Sequence, residues 1–321
     1  MIPVKNGAAY LPDTLPAILS QEVDCAFEVL VIDSGSRDRS LEILAGFPVR
    51  LVCIPPHEFN HGDTRNLGIR LACSTSRYIV FLSQDAQPYD RSWLANLLAP
   101  LRQDERVAGV FSRHIPRPNA SVSTVRQLVQ HTQSGGVQRL VKEMPASPAE
   151  YEANKFHYIF FSNTSSALRR SVWQKIPFRR ADFGEDAQWA DQVLRQGYRI
   201  VFEPASMILH SHSYPLSEQF RQNVDHAFAM NRLFRPSFYH DNRVWLRLFA
   251  GIPLQVWRDS RFLWNQPFFA AHPWPRKLAM MLYCFPWHLA TISGSWVGAH
   301  LEQMPPWLKL RFSRQARLQE S

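Results

Sequence analysis

Short apolar runs alternate with amphipathic stretches over roughly the first third of the chain. The runs predict buried strands, and apolar residues at helical spacing between them predict helices. The predicted strands lie at residues 27–32, 50–54, 78–82 and 107–111. Strands and helices that alternate at this spacing form right-handed parallel βαβ units. The pattern therefore predicts an α/β fold with a doubly wound, mostly parallel sheet.

The pattern changes further along the chain. Residues 116–154 contain prolines and glycines with weak periodicity, which predicts a long loop. Residues 186–195 predict a helix that Gly197 closes. After Pro215 the apolar residues again follow helical spacing, so a mostly helical region is expected at the C-terminal end.

Charge divides the chain in the same way. Residues 1–214 hold 23 Lys/Arg against 21 Asp/Glu, whereas residues 215–321 hold 13 against 6 and seven of the ten tryptophans. We therefore expect an α/β domain over 1–214 and a basic, Trp-rich helical region over 215–321. Such a region indicates an anionic partner, which is a membrane, a nucleic acid or a charged protein.

Residues 278–299 lack charged side chains and are long enough to cross a bilayer. They include Pro286, His288 and several small polar residues, so we favour a membrane-surface or protein-packed helix over a span. The four cysteines show no CxxC spacing, which indicates reduced thiols and a cytoplasmic protein. The N-terminus carries Pro3 and a lone Lys5 instead of a charged region and an apolar core, so no signal peptide is predicted.

Polar residues follow the predicted strands. Asp33 follows one strand and Asp85 another, and ligands of open α/β sheets bind at the carboxyl ends of strands. A carboxylate such as Asp85 suits Mg²⁺ or Mn²⁺. His210, or His212 as an alternate, would add a nitrogen ligand that favours Mn²⁺. Each residue alone is more often a turn or surface residue.

The polar residues after the predicted strands could also form a nucleotide-binding site, in addition to the metal site. The carboxylate of Asp33 could accept the N3–H of uracil or thymine. Arg65 and Asn66 lie in the first turn of a predicted helix and could bind phosphate oxygens. The adjacent acids Glu185 and Asp186 begin another helix, where the helix dipole alone would favour carboxylates. Their functional interpretation is a general base that takes a proton from an attacking hydroxyl.

Taken together and in this order, the motifs resemble family 2 glycosyltransferases of the GT-A fold, which invert the configuration of a sugar taken from a nucleotide diphosphate. The motifs are Pro3-Val4-Lys5-Asn6, Asp33-Ser34-Gly35-Ser36, Thr64-Arg65-Asn66, Ser83-Gln84-Asp85 and Glu185-Asp186. The resemblance implies nucleotide binding by Pro3, Lys5, Asn6, Asp33, Ser34, Arg65, Asn66 and Gln84. It also implies a divalent cation, Mg²⁺ or Mn²⁺, at Asp85 and catalysis by Asp186 with Glu185.

Two departures from the family pattern are visible: Ser34 replaces the second Asp of the Asp-Asp-Gly-Ser motif, and Ser83 replaces the first Asp of the DxD motif. The segments 59–66 and 210–214 resemble the rhamnosyltransferase branch, which commonly lacks that first Asp. This branch implies dTDP-L-rhamnose as donor and a lipid-linked bacterial surface polysaccharide, such as O-antigen, as acceptor. It also implies a peripheral enzyme on the anionic inner face of the plasma membrane, with no nucleic-acid partner.

Other interpretations remain open at this point. The donor could be a UDP- or GDP-linked sugar instead. A nucleotidyltransferase would need a Gly-rich phosphate loop, for which residues 3–10 offer only Lys5 and Gly7. A non-catalytic protein that binds nucleic acid or glycan would account for the basic tail. A degenerate transferase-like binding protein would account for Ser34 and Ser83.

Overall fold

A computed structural model describes the chain at residues 1–130, 136–181, 183–234, 239 and 241–313. Contacts between residues divide it into two compact units. The first unit comprises Met1–Ile115 and Leu128–His210, and the second comprises Pro116–Gln127 and Ser211–Ser321. The functional domains predicted at 1–214 and 215–321 remain a prediction.

The strands all belong to the first unit, and the later helices belong to the second. The strands are β1 (Ile2–Val4), β2 (Leu30–Asp33), β3 (Arg50–Cys53), β4 (Tyr78–Leu82), β5 (Gln87–Pro88), β6 (Val107–Ile115), β7 (Leu140–Lys142), β8 (Ser165–Arg169) and β9 (Arg199–Leu209). The helices are α1 (Leu11–Leu19), α2 (Ser40–Ala45), α3 (His61–Leu71), α4 (Trp93–Gln103), α5 (Val122–Gln130), α6 (Pro148–Ala153), α7 (Lys155–Ile159), α8 (Arg170–Lys175), α9 (Glu185–Arg195), α10 (Leu216–Phe234), α11 (Asn242–Ala250), α12 (Ile252–Asn265), α13 (Trp274–His300) and α14 (Pro306–Phe312).

The sheet of the first unit is parallel in its first part and mixed in the rest. Strands β1, β2 and β3 pair in parallel, and the main chain of Met1 joins them to β4 through hydrogen bonds with Val80 and Leu82. Beyond β4 the order is β8, β6, β9 and β5, and β8 runs antiparallel to both β4 and β6. The expected parallel pairing therefore holds for β1–β3 and for β6 with β9, whereas β8 and the short strands β5 and β7 pair antiparallel with their neighbours. Strand direction depends on the connections and not on the apolar pattern, which is why the sequence did not reveal it.

The prediction of a long loop over residues 116–154 is wrong for the part of this stretch that the structure describes. This stretch forms α5, β7 and α6, while residues 131–135 lie outside the described part of the chain. Val122 and Val125 bury one side of α5 at helical spacing. These elements are short and carry few apolar residues, so their periodicity is weak.

The second unit is built on two helices in close contact. A Cβ atom at Gly294 would collide with the carbonyl oxygen of Phe220, and one at Gly298 with that of Val224. Two glycines four residues apart lie on one face of α13. They therefore let the backbones of α10 and α13 approach each other.

A buried polar cluster links two further helices, α5 and α12, to α13. The carboxylate of Asp259 on α12 accepts hydrogen bonds from Ser123 and Arg126 of α5 and contacts His288 of α13 at 2.8 Å.

Among the described residues, none of the helices combines the length and hydropathy needed to cross a bilayer.

Candidate functional site

The ends of β1 and β4 are joined through one side chain. Gln84 accepts a hydrogen bond from the backbone N–H of Lys5 at 3.0 Å and donates one to the Lys5 carbonyl at 3.1 Å. Pro3 lies two residues before Lys5, in β1, opposite Ile32 of β2. The structure therefore brings the predicted residues Pro3, Lys5 and Gln84 to one edge of the sheet.

Asn6 joins the same edge to the end of β2. Its backbone has a φ of 53°, in the left-handed region that asparagine tolerates better than most residues. Its N–H donates to the hydroxyl of Ser36 at 2.8 Å, and its side-chain oxygen accepts from the N–H of Arg37 at 2.8 Å. The Asn6 side chain thus shapes the loop after β2.

Asp33 is engaged by its own turn. Its carboxylate accepts hydrogen bonds from the N–H groups of Gly35 and Ser36, both at 2.9 Å, and from the Ser36 hydroxyl at 2.5 Å. Ser34 is buried, and its N–H donates to the Val4 carbonyl at 2.9 Å. An incoming base would have to share oxygens that already accept hydrogen bonds, so the proposed contact of Asp33 with a uracil or thymine remains a prediction.

Asn66 lies in α3 as expected, and its side chain supports the neighbouring chain. Its amide oxygen accepts from the indole N–H of Trp173 at 2.7 Å and from the N–H of Phe178 at 3.2 Å. Its amide nitrogen donates to the Phe178 carbonyl at 2.8 Å. None of these bonds involves the strand ends that carry the other predicted nucleotide ligands.

Arg65, one residue earlier, forms a buried ion pair. Its guanidinium lies 2.9 Å from the Glu185 carboxylate, with side-chain exposures of 7% and 5%. It also donates to the backbone oxygen of His61 at 3.1 Å and lies over the ring of Phe81. The predicted phosphate ligand Arg65 and the predicted catalytic Glu185 are therefore in direct contact.

Asn163 contacts both members of the acid pair. Its amide donates to Glu185 at 3.1 Å, and its backbone N–H donates to Asp186 at 3.3 Å. The hydroxyl of Ser166 donates to its amide oxygen at 2.8 Å and so sets the orientation of the amide. The sequence analysis did not select Asn163. The available signal was a polar Ser-Asn-Thr run inside an apolar stretch.

The two acids titrate differently. Burial acts to raise the pKa of Glu185, but the positive charge of Arg65 and the hydrogen bond from Asn163 outweigh it and hold the pKa below its usual value. Burial, followed by the negative charge of Glu185, raises the pKa of Asp186 to about 7. Glu185 is therefore ionised, while Asp186 exchanges its proton near neutral pH. A carboxyl group of this kind suits general base catalysis.

Gly184 lies immediately before the acid pair, at the start of α9. It precedes Glu185 with a φ of 70°, in the left-handed region that favours glycine. Asp186, half-buried, accepts a hydrogen bond from the N–H of Ala187 at 2.8 Å. This turn sets both carboxylates in the first turn of the helix.

Asp85 and His210 approach each other at the ends of β4 and β9. The Oδ2 atom of Asp85 lies 3.6 Å from Nε2 of His210, and both side chains are partly exposed. Two atoms that each bind one cation at about 2.1 Å lie roughly 3 to 4 Å apart, so the pair fits a divalent ion. The carboxylate suits either Mg²⁺ or Mn²⁺, and the imidazole favours Mn²⁺. His212 belongs to the second unit, and its role as alternate ligand remains a prediction.

A cavity of about 490 Å³ lies elsewhere in the first unit. It is lined at the amino ends of β2 and β4, by Leu30 and Tyr78 among others, and by none of the predicted site residues. Ligands of such sheets bind at the carboxyl ends of the strands, so this cavity is not the candidate site.

Comparison with known proteins identifies the family of the chain. The model of glycosyl transferase family 2 matches residues 1–177. The O-antigen chain rhamnosyltransferase RfbN of Salmonella typhimurium is 28% identical over 314 residues, which cover 95% of this chain and 90% of that protein. The O-antigen chain rhamnosyltransferase WbaN of Salmonella anatum is 27% identical over 286 residues, which cover 87% and 81%.

Two solved structures share the fold. The mannosyltransferase PcManGT from Pyrobaculum calidifontis, in complex with GDP-Man and Mn²⁺, aligns with a TM-score of 0.56 and 19% identity over 94% of this chain and 85% of that one. S. aureus TarS in complex with UDP aligns with a TM-score of 0.51 and 15% identity over 94% and 90%. The GT-A fold that the motifs imply is thus confirmed, and so is the enzyme class. The chain belongs to glycosyl transferase family 2 and is a glycosyltransferase.

Proposed function

We propose that this enzyme is an inverting rhamnosyltransferase that moves L-rhamnose from dTDP-L-rhamnose to a hydroxyl of a growing, lipid-linked bacterial surface polysaccharide. The observation that carries the catalytic part is the raised pKa of Asp186, next to an ionised Glu185. The choice of rhamnose and of O-antigen is supported by RfbN and WbaN, both named O-antigen chain rhamnosyltransferases.

In this proposal Asp186 is the general base. Its carboxylate takes the proton of the acceptor hydroxyl while that oxygen attacks the anomeric carbon from the face opposite the diphosphate. The bond between the anomeric carbon and the diphosphate oxygen breaks in the same step, so configuration inverts without a covalent sugar–enzyme intermediate. The proton remains on Asp186, whose raised pKa makes its carboxylate a stronger base than an ordinary aspartate.

Arg65 and Asn163 act through Glu185 in this proposal. They keep Glu185 ionised through an ion pair at 2.9 Å and a hydrogen bond at 3.1 Å. The negative charge of Glu185 then helps to raise the pKa of Asp186. The phosphate contact expected of Arg65 stays a prediction beside this role, because the ion pair with Glu185 and the bond to the His61 carbonyl both use Nη1.

The nucleotide would bind at the ends of β1, β2 and β4. Lys5, Asn6 and Gln84 lie at this edge, where Gln84 bonds to the main chain of Lys5 and Asn6 to the loop after β2. Asp85 and His210 would hold a divalent cation next to it. When bound, Mg²⁺ or Mn²⁺ offsets the charge of the diphosphate leaving group. The protein PcManGT was solved with Mn²⁺, which supports this choice.

The basic C-terminal region supports the proposed acceptor and location. Residues 215–321 carry a net formal charge of +7, from 13 Lys/Arg against 6 Asp/Glu. We therefore propose a peripheral enzyme at the anionic inner face of the plasma membrane, where a lipid-linked acceptor would be available.

A second candidate is transfer from a UDP- or GDP-linked sugar. It is favoured by the ligands of the two solved structures, which contain GDP-Man and UDP. Asp33 does not decide between these bases, because its carboxylate is engaged by its own turn.

Thermal-shift measurements with a panel of nucleotide sugars separate these donors, because a ligand stabilises only the folded state that binds it. We expect dTDP-L-rhamnose to raise Tm more than the UDP- and GDP-linked sugars, and more in the presence of Mn²⁺. Asp85→Ala should lose the Mn²⁺ increment, whereas Asp13→Ala, at an exposed carboxylate of α1, should keep it. A larger shift with a UDP- or GDP-linked sugar would refute the choice of dTDP-L-rhamnose.

A further inference from the structure

Helix α13 carries a row of large apolar side chains that remain exposed. Their exposed fractions are 67% for Trp274, 43% for Leu278, 69% for Leu282, 49% for Phe285 and 42% for Leu289. At about 100° per residue these five positions fall within roughly 80° of one another around the helix. We call this row the α13 face. The rest of the helix circumference buries Cys284, Trp287 and His288 among other residues, so the α13 face is not part of that core.

The neighbouring helix α12 adds exposed aromatic and cationic groups. Trp257 and Trp264 are exposed by 53% and 54%, and Arg258 and Arg261 are exposed on the same helix. The guanidinium of Arg261 lies 5.2 Å from the centre of the Trp257 ring. Tryptophan and arginine together are typical of surfaces that meet lipid headgroups.

The exposed charges within α11, α12 and α13 have one sign. Residues 242–301 contain six Lys/Arg and a single acid, Asp259, which is buried in its cluster with Arg126. The exposed charges of this segment are therefore all positive. An apolar row flanked by cations complements a surface with an apolar interior and anionic headgroups.

A second copy of the chain fits the α13 face less well. A two-fold dimer brings the same surface of both copies together, so the exposed arginines near the face would be placed close to one another. The row also has the 3–4 spacing of a coiled-coil seam, but residues 278–299 contain no Lys, Arg, Asp or Glu to form the flanking ion pairs of such seams.

We propose that the α13 face, together with the exposed tryptophans and arginines of α12, binds the headgroup layer of an anionic phospholipid bilayer. This inference adds the membrane-binding surface to the proposed function. It rests on that function only for the kind of membrane, since a lipid-linked acceptor would be presented there. The apolar row enters the boundary between headgroups and acyl chains, while Arg258 and Arg261 contact lipid phosphates.

Vesicle flotation of the full chain tests the proposal. The vesicles contain phosphatidylcholine alone or with about a third phosphatidylglycerol, at low and high salt. We expect at least about tenfold stronger binding to the anionic vesicles, weakened by salt. Leu282→Glu with Phe285→Glu should reduce binding to anionic vesicles about tenfold or more, since charge is added where apolar groups should enter. Arg258→Glu with Arg261→Glu should remove the preference for anionic lipid.

Matched controls lie in the first unit. Leu41→Glu places the same charge on an exposed leucine of α2, and Arg70→Glu with Arg77→Glu reverses two exposed arginines. Both controls should bind vesicles like the original protein. Thermal shift with dTDP is measured on every variant. Retained dTDP binding shows that a loss of flotation is not a loss of folding. Flotation of the original protein without any dTDP binding would refute the proposed dTDP-linked donor while leaving this surface standing.

Three results would overturn the proposed surface. One is unchanged flotation of the Leu282→Glu, Phe285→Glu variant, and another is equal binding to neutral and anionic vesicles. The third is a dimer in sedimentation velocity that this variant dissociates, which would assign the α13 face to a second copy.

Discussion

The guanidinium of Arg65 and the carboxylate of Glu185 lie 2.9 Å apart, and both side chains are almost fully buried. This pair connects α3 with the start of α9, two helices that are distant in sequence. It also acts on the acid next to it: burial is the main cause of the raised pKa of Asp186, the charge of Glu185 raises this pKa further, and the charge of Arg65 lowers it. The ion pair is thus both a structural link and part of the proposed catalytic site.

Replacing Arg65 with methionine should destabilise the protein by about 3–5 kcal/mol, because it leaves Glu185 as an uncompensated buried charge. Urea unfolding measures the change. Arg70→Met, at an exposed arginine of the same helix, is the control and should change stability by less than about 0.5 kcal/mol. Adding Glu185→Gln to Arg65→Met should restore part of the loss. If Arg65→Met keeps full stability but binds the donor poorly, then Arg65 is the phosphate ligand that the motif implied.

Asn66→Ala should act on stability and not on nucleotide affinity. The change leaves the indole N–H of Trp173 and both backbone groups of Phe178 without their present partners, which costs about 2–4 kcal/mol. Denaturant unfolding gives the stability, and calorimetry with dTDP gives the affinity of the folded fraction. Asn265→Ala, at an exposed amide of α12, is the control. A stable Asn66→Ala protein with weakened dTDP binding would support the nucleotide contact instead.

Asn163→Ala should lower kcat by about tenfold or more with a smaller effect on KM, because the acid pair loses the amide that holds Glu185. Without that hydrogen bond the pKa of Glu185 rises. Glu185 is then less fully ionised, so its charge raises the pKa of Asp186 less. The acidic limb of the pH–rate profile should therefore move. Ser166→Ala removes only the hydroxyl that orients Asn163 and should give a weaker form of the same change. An unmoved limb would leave Asn163 with a purely structural role.

The raised pKa of Asp186 also predicts how stability depends on pH. The pKa rises from 3.8 to about 7 on folding, so the folded state holds this proton more tightly than the unfolded state. The resulting stabilisation is present at low pH and is lost as pH rises through about 7. Asp186→Asn carries no such charge, so relative to the original protein it should gain roughly 1–3 kcal/mol between pH 5 and pH 8. Thermal unfolding across this range measures the gain, with Asp13→Asn as the exposed control; a constant difference would contradict the assignment.

Local patterns in the sequence were sufficient for part of this picture. The apolar run of β4 and its polar end are consecutive residues, and Asp85 follows the strand where the pattern put it. The order of the motifs was specific enough to identify the family, although each motif is short. These features need no knowledge of distant contacts.

Other features depend on contacts that no local pattern contains. The pairing of Arg65 with Glu185 requires α3 and α9 to be packed together, so the position of Arg65 at a helix start does not reveal the ion pair. Asn163 becomes a candidate only when its amide is seen between the acids. The direction of β8 depends on the path of the chain before it, and an apolar strand has the same pattern in either direction.

The central claim is that Asp186 is the base of an inverting glycosyl transfer. Its most direct test is the initial rate of sugar transfer by Asp186→Asn at saturating donor, together with the donor Kd by calorimetry. We predict a rate at least about a hundredfold below that of the original protein, with a Kd changed by less than about twofold, since an uncharged isostere keeps the shape of the site. Transfer by purified Asp186→Asn at the original rate would contradict the claim.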